Sequence, residues 1–192
     1  MSDNYRKNVG IVVFNREGKV LMCARADKPD MQWQFPQGGI EDGEDITAAA
    51  KRELAEETGI TSVEPVARMP KPLRYDFPAA IAAAQSRKGY DYKGQEQYWV
   101  LFYFSGDNSE IDFCTNPKEI EFKAYEWADI KEAPRRVVDF KKDVYNKVVK
   151  AFVPYIRKKN GRFWGLTPQL ILQKVLEQKS RSKVFGRESR GR

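Results

Sequence analysis

Gly38-Gly39-Ile40-Glu41-Asp42-Gly43-Glu44, a seven-residue spacer, then Arg52-Glu53-Leu54-Ala55-Glu56-Glu57-Thr58-Gly59-Ile60: the spacing predicts a glycine-rich loop running into a helix. Asp45 or a near neighbour can cap its start, because a side-chain oxygen there takes one of the free N–H groups of the first turn, and Gly59 is placed to stop it. At about 100° per residue, Ile46, Ala49, Ala50, Glu53, Glu56 and Glu57 share one side. The apolar stripe that should dock the helix thus turns, in its last two turns, into three carboxylates. Burying like charges together is unfavourable unless protons or cations neutralise them. Hard divalent cations with oxygen ligands are the natural partner, and Mg2+ keeps positions open for phosphate oxygens and water. The alternative, a solvated acidic face with i,i+3 and i,i+4 ion pairs, is the usual state of acidic helices. Here the acids prolong an apolar stripe and follow a glycine loop, which favours the cation site.

The rest of the composition narrows the chemistry. The chain has 192 residues, enough for one domain with a core plus an appendage. There is no histidine, which excludes His-ligated zinc, Ser-His or Cys-His nucleophile pairs and histidine acid–base catalysis within this chain. Proton transfer falls to carboxylates, Lys, Tyr or metal-bound water. Cys23 and Cys114 lack a CxxC spacing and read as reduced, buried thiols of a cytoplasmic protein. No apolar run approaches a membrane span, and the N-terminal residues lack a signal core. The net charge of +7 is unevenly spread. Residues 155–192 hold eleven Lys or Arg against Glu177 and Glu188, giving +9, whereas residues 1–154 sum to −2. The tail is the polycation.

Along the chain, Asn8 to Phe14 and Val20 to Arg25 read as a hairpin around Asn15-Arg16-Glu17-Gly18. Trp33 to Gln37 is a short strand interrupted by Pro36, with core packing expected of at least one of Trp33 and Phe35. Ser62 to Ala67, Leu73 to Pro78, Gln97 to Phe104 and Glu121 to Trp127 are the remaining strands, the Gln97 strand being apolar on both faces. Ala79 to Gln85 is a helical insert or a loop. Asp129 to Ala133 starts a helical turn broken by Pro134. Val137 to Phe152 reads as a long amphipathic helix ended by Pro154. This order predicts an α/β fold, a mixed sheet between helices. The expected organisation is a catalytic domain over 5–154 and a basic extension over 155–192. In the extension a basic linker precedes a short helix at about 167–179 and a basic tail from Ser180, poor in apolar residues and expected to be disordered.

Gly38, five residues, Glu44, seven residues, then Arg52-Glu53-Leu54-x-Glu56-Glu57-x-Gly59-Ile60 resembles a complete Nudix box, with every fixed position filled. The resemblance implies an α/β/α sandwich that hydrolyses nucleoside diphosphates linked to another group. It implies that Glu53, Glu56 and Glu57 hold the metal, Mg2+ or in its place Mn2+, with the Gly38 carbonyl as an added ligand. Arg52 and Glu44 would brace helix and loop by an ion pair. Further stretches, Tyr5 to Gly10, Trp33 to Gly39, Leu73-Arg74-Tyr75, Lys93 to Trp99 and Val138 to Lys141, are similar to one subgroup. It contains bacterial RNA pyrophosphohydrolases and plant-type asymmetric dinucleoside tetraphosphate hydrolases. The likeness spans roughly residues 5–153, with gaps around 27–32 and 79–92, and does not cover the segment after 160.

Carried onto this sequence, the subgroup implies a fourth carboxylate at Glu121, as metal ligand or general base, with Glu119 beside it. Whether Glu121 or Glu56 takes the proton stays open. Arg6, Arg25 and Lys141 match positions that would hold phosphates, and Tyr75 and Phe140 positions near the nucleotide, as suits a polyphosphate and a stacked base. For Phe140, helix packing is the alternative; for Arg6 and Lys141, it is a solvated charge. The expected reaction is removal of pyrophosphate or phosphate from triphosphorylated or diphosphorylated RNA 5′ ends, leaving a monophosphate and promoting RNA decay. The basic extension would hold RNA or an acidic partner. Asymmetric hydrolysis of diadenosine tetraphosphate to ATP and AMP is the alternative, supported by Asp76-Phe77-Pro78 and the loop at 26–32. An inactive Nudix module that binds RNA or protein is a third reading. A monomer is expected.

Overall fold

The computed structural model describes residues 4–114 and 120–160. Ten residues of β1 (Tyr5–Phe14) run parallel to β7 (Gly94–Phe104), in register from Tyr5↔Gly94 to Phe14↔Tyr103. This pair is the spine of a mixed sheet, because every other pairing is antiparallel. On one side of β1 lie β2 (Val20–Arg25), then β3 (Trp33–Gln34) and β8 (Phe122–Ala128) on β2. On the other side, β5 (Val63–Arg68) and β6 (Leu73–Asp76) pair with β7. The turn at Asn15 joins β1 to β2, but the two strands pair only at Phe14↔Val20 before diverging. Into the opening comes β4 (Gln37–Gly39), which pairs with β1 through Gln37↔Gly10 and Gly38↔Val9. Pro36 separates β3 from β4, and its carbonyl accepts from Ile11 N–H.

Strand alternation divides the core in two. Val9, Ile11, Val13, Val100 and Phe102 face α1 (Ile46–Thr58) through Ala49, Ala50 and Leu54. Val12, Phe14, Trp99 and Leu101 face the opposite layer, where α3 (Ala133–Arg136) and α4 (Lys142–Asn160) supply Ala133, Val144, Tyr145, Val148 and Phe152. The result is the expected α/β/α sandwich. Phe35 is fully buried, stacked on Tyr145 at 5.0 Å and edge-on to Trp99 at 6.1 Å. Trp33 is partly covered, with the Arg136 guanidinium 4.4 Å from its ring centroid.

Of the two readings of the insert after Pro78, the helix holds, as α2 (Ala79–Arg87). Several other expectations need correction. Pro134 does not break a turn; it occupies the first turn of α3, where its missing N–H has no partner to lose. The long helix does not start at Val137, because Val137 and Val138 are extended. A 3-10 turn, Asp139–Lys141, intervenes before α4 begins at Lys142. Nor does Pro154 end that helix, which continues to Asn160. Pro154 lies on the exposed side, as does Lys150, whose carbonyl loses its helical donor and can turn to water, while Phe152 and Ile156 stay buried and hold the turn. Residues 155–160 are therefore helical rather than a linker. Cys23 is buried as expected, but Cys114 is exposed. The helix expected at about 167–179 and the tail beyond it lie outside the described residues, as does Glu119. No helix among the described residues is long and apolar enough to cross a membrane.

Candidate active site

The glycine loop and α1 are fixed by local chemistry. Asp45 Oδ1 accepts from Thr47 N–H at 2.8 Å and Ala48 N–H at 3.1 Å, closing the N-terminus. At the other end Gly59 adopts φ of +73°, a left-handed conformation that other residues resist, and its N–H reaches the Ala55 carbonyl at 2.9 Å. The buried stripe is Ala49, Ala50, Leu54 and Thr58, with the Thr58 hydroxyl donating to the Leu54 carbonyl at 2.6 Å. The three glutamates thus flank the buried stripe rather than prolong it. Leu54 and Thr58 satisfy the core, which lets Glu53 and Glu57 lie along its edge. Glu56 lies further round, its side chain 55% exposed.

Arg52 ties loop to helix. Its Nε and Nη2 grip the two Glu44 oxygens, each at 2.9 Å, and Nη2 also donates to the Gly39 carbonyl at 3.1 Å. Nη1 reaches Glu53 at 2.9 Å and Glu56 at 3.3 Å. The hydrogen bonds from Arg52 first, and then the Glu41 backbone N–H, pull the Glu44 carboxyl down to about 2. Glu53 is pushed up, chiefly by burial, against the pull of Arg52. Its carboxylate presses on Gly38, where an added Cβ would sit 1.9 Å from Glu53 Cδ and Oε2. Only a residue without a Cβ leaves this carboxylate in that position.

Glu57 accepts from the Gln37 backbone N–H at 3.1 Å. Burial raises its carboxyl well above the usual range, and the like charge of Glu121, then of Glu53, adds to this. Glu121 immediately precedes β8, and its carbonyl accepts from Ala26 N–H at 2.9 Å. Arg25, at the end of β2, bonds Glu121 through Nη1 and Asp27 through Nε, the latter at 2.6 Å. The diverging strands therefore bring one carboxylate from α1 and one from the start of β8 to face each other across Arg25.

Lys141 is only 7% exposed, so it is not a solvated charge. The 3-10 turn before α4 directs it inward, where Nζ meets Gln37 Oε1 at 3.1 Å and Gln34 Oε1 at 3.4 Å. Burial first and the Arg25 charge second bring its ammonium down to about 8, while Glu121 and Glu57 oppose that fall. A chain of buried amides extends from it. Gln97 Nε2 donates toward Gln37 Oε1 and Asn8 Oδ1, both at 3.1 Å, and toward Gln95 Oε1 at 3.3 Å. Gln95 Oε1 also accepts from the Tyr75 hydroxyl at 2.6 Å. Gln37 is the joint between the two systems, holding Glu57 by its backbone and Lys141 by its side chain. Sequence reading gave these amides no role, although polar residues at 95 and 97 and at Asn8, the partner of Gln97, are a period-2 signal in otherwise apolar strands.

Tyr75 is buried, which raises its hydroxyl, and its ring meets Phe140 at 5.6 Å and Phe77 at 6.0 Å. Phe140 is half-buried and packs at the edge of the core, so packing and an open ring edge coexist. Arg6 is exposed, with Nη2 3.4 Å from where a Cβ on Gly39 would lie. Pairwise contacts and charges thus link Gly38 to Glu53, Glu53 and Glu121 to Glu57, and Arg25 and Lys141 to Glu121, in one region of the molecule. Tyr75 and Phe140 border it, and Glu56 and Arg6 lie at its rim.

The model of the NUDIX domain matches residues 4–148. The chain belongs to the Nudix family. An RNA pyrophosphohydrolase from Caulobacter vibrioides is 44% identical over 154 residues, covering 80% of this chain and 88% of that protein. Nudix hydrolase 25 of Arabidopsis thaliana is 41% identical over 155 residues, with 79% and 88% covered. Among solved structures, the E. coli dihydroneopterin triphosphate pyrophosphohydrolase aligns with a TM-score of 0.59 at 21% identity, covering 77% of this chain and 99% of that one. A binary complex of a C. elegans Ap4A hydrolase gives 0.54 at 20%, covering 78% and 98%. These structural matches show the Nudix fold.

Nudix hydrolases generally need divalent cations. The residues present fit one. The donors are carboxylate oxygens and a backbone carbonyl, the ligand type of hard cations. Burial and two neighbouring carboxylates raise the Glu57 carboxyl, a field that a cation would relieve. Arg25 bonds Glu121 and Arg52 bonds Glu53, and no three acids among the described residues converge on one point.

Proposed function

We propose that this Nudix hydrolase removes the terminal phosphates from RNA 5′ ends. Water cleaves a triphosphorylated end to pyrophosphate and 5′-monophosphate RNA, or a diphosphorylated end to phosphate and the same product. The observation that carries this reading is the match to proteins named RNA pyrophosphohydrolase over most of both chains, in a chain that carries Gly38, Glu44, Arg52, Glu53, Glu56 and Glu57 at the Nudix-box spacing. Held by Glu53, Glu56, Glu57, Glu121 and the Gly38 carbonyl, Mg2+, or Mn2+ in its place, would polarise the phosphate, lower the pKa of a bound water and neutralise the leaving group.

The chain's own groups do the rest. Arg25, already shared between Asp27 and Glu121, turns from Glu121 to a phosphate oxygen, an exchange of one anion for another. Lys141 lies behind it as a desolvated cation whose attraction for phosphate is little screened. Arg6 closes the outer side, and Tyr75 with Phe140 flanks a base. Glu56, exposed to water, and Glu121 are the candidates to accept the proton of the attacking water. Arg52 holds Glu53 and Glu56 in place throughout. Two unpaired thiols suit a reducing compartment such as the cytoplasm.

The experiment is product analysis on RNA carrying a labelled 5′ triphosphate. The expected products are labelled pyrophosphate and RNA that has become susceptible to a nuclease requiring a 5′ monophosphate. Release of label without that susceptibility, or no release, contradicts the proposal.

A further inference from the structure

We infer that the corner formed by the C-terminal end of α2, residues 90–93 and the start of β1 is a landing surface for single-stranded RNA, carrying the chain beyond its first nucleotides. This rests on the RNA reading above and extends it to a part of the molecule where the likeness to the RNA pyrophosphohydrolase subgroup breaks.

Three observations converge on that corner. The rings of Tyr90 and Tyr92 are stacked, with centroids 6.2 Å apart and an interplanar angle of 18°. Tyr90 is 53% exposed, one of the few large apolar side chains among the described residues left open to solvent. A half-exposed aromatic ring lying nearly parallel to a second ring offers a platform for a base, and stacking of this kind tolerates any sequence. Second, Arg87 and Lys88, at the end of α2, form no ion pair among the described residues, so they are free to meet backbone phosphates.

Third, the corner is rigidly joined to the candidate nucleotide site. Asn4 Nδ2 donates to the Asp91 carbonyl at 2.7 Å, Lys93 N–H to the Asn4 carbonyl at 2.9 Å and Phe77 N–H to the Lys93 carbonyl at 2.9 Å. Two positions further on, Gln95 pairs with Arg6 on one side and Tyr75 on the other. Lys93 therefore stands two positions, roughly 7 Å, from Gln95, and Tyr92 and Tyr90 follow three and five positions from it. A strand leaving past Arg6 and Tyr75 meets Lys93 next, then the tyrosines. Lys93 and Arg74 both lie over the Tyr5 ring, at 5.5 and 4.8 Å, which keeps Tyr5 as the wall of this path rather than as a stacking face.

The test compares kcat/KM on a long 5′-triphosphate RNA and on a 5′-triphosphorylated dinucleotide, for wild type, Tyr90→Ala, Tyr90→Phe and Lys88→Ala. Tyr90 and Lys88 are exposed, so these variants keep the fold, checked by their melting temperatures. The expected result for Tyr90→Ala is a loss of roughly five- to tenfold on the long RNA, with the dinucleotide unchanged. Tyr90→Phe should match wild type, and Lys88→Ala should flatten the salt dependence on long RNA only. Equal losses on both substrates, or no loss on either, would overturn the landing surface while leaving the RNA reading intact. Failure of wild type on both substrates would overturn the RNA reading itself, and the surface with it.

Discussion

Gly38→Ala separates the fold from the site. Gly38 is not among the glycines with positive φ, so alanine is acceptable to the backbone there, and the whole effect comes from one methyl group. That methyl would lie 1.9 Å from Cδ and Oε2 of Glu53, and the carboxylate must retreat by about 1.5 Å to reach ordinary contact near 3.4 Å. The atoms struck are the far end of a flexible side chain, so the sheet need not move. The stability cost is the weakened Glu53–Arg52 contact, now 2.9 Å and partly exposed, while Arg52 keeps Glu44. That is worth about 1 kcal/mol, or about 2–4 °C in Tm. Activity should suffer far more, because a misplacement of about 1 Å in a catalytic array costs on the order of a hundredfold. The control is Gly39→Ala, whose methyl would meet only Arg6 Nη2 at 3.4 Å and Glu53 Oε1 at 3.9 Å and should leave turnover near wild type. Thermal melts and initial rates under saturating Mg2+ decide it. Wild-type turnover in Gly38→Ala, or equal losses in both variants, would refute the role given to Glu53.

Other expectations concern charge and length. The Glu57 carboxyl is raised in the fold, so its penalty begins as pH climbs past the unfolded value near 4.3 and is complete above the folded one. Glu57→Gln should therefore stabilise the metal-free protein at pH 8 but not at pH 4, abolish turnover, and remove most of the Tm rise produced by Mn2+. Lys141, lowered to about 8, is penalised fully below that pH and less as pH approaches its unfolded value. Lys141→Met should raise stability at pH 7 by roughly 1–2 kcal/mol, with a shrinking gain at pH 10 in denaturant titrations, and lower kcat/KM on RNA. Truncation after Asn160 should keep the fold, weaken activity on long RNA and spare diadenosine tetraphosphate. Truncation after Pro154 should in addition lower Tm, because Ile156 is buried in the core.

Much of this was legible in the sequence because local rules carried it. Asp45 and Gly59 cap α1 where side-chain chemistry requires, and the Gly38 to Ile60 spacing placed the acids on one region of the helix surface. What failed were judgements that depend on tertiary contacts. Pro154 reads as a stop only if the turn after it has nothing to bury, and Phe152 with Ile156 shows otherwise. Of the two readings of Lys141, a phosphate contact or a solvated charge, the second fails because the extended Val137 and Val138 turn the chain and direct it inward. The amides of Gln34, Gln37, Gln95 and Gln97 acquire a role only when β1, β3, β4, β7 and the turn before α4 meet, which no window of sequence contains. The buried stripe of α1 shows the same limit, since the helical wheel admits both Glu57 and Thr58 and packing chose Thr58.

The most direct measurement is kcat/KM for 5′-triphosphate RNA against diadenosine tetraphosphate, in the same Mg2+ buffer at near-physiological salt. The account predicts a higher value for RNA, by about a factor of ten or more. A higher value for the dinucleotide would contradict it and make the chain a dinucleoside polyphosphate hydrolase.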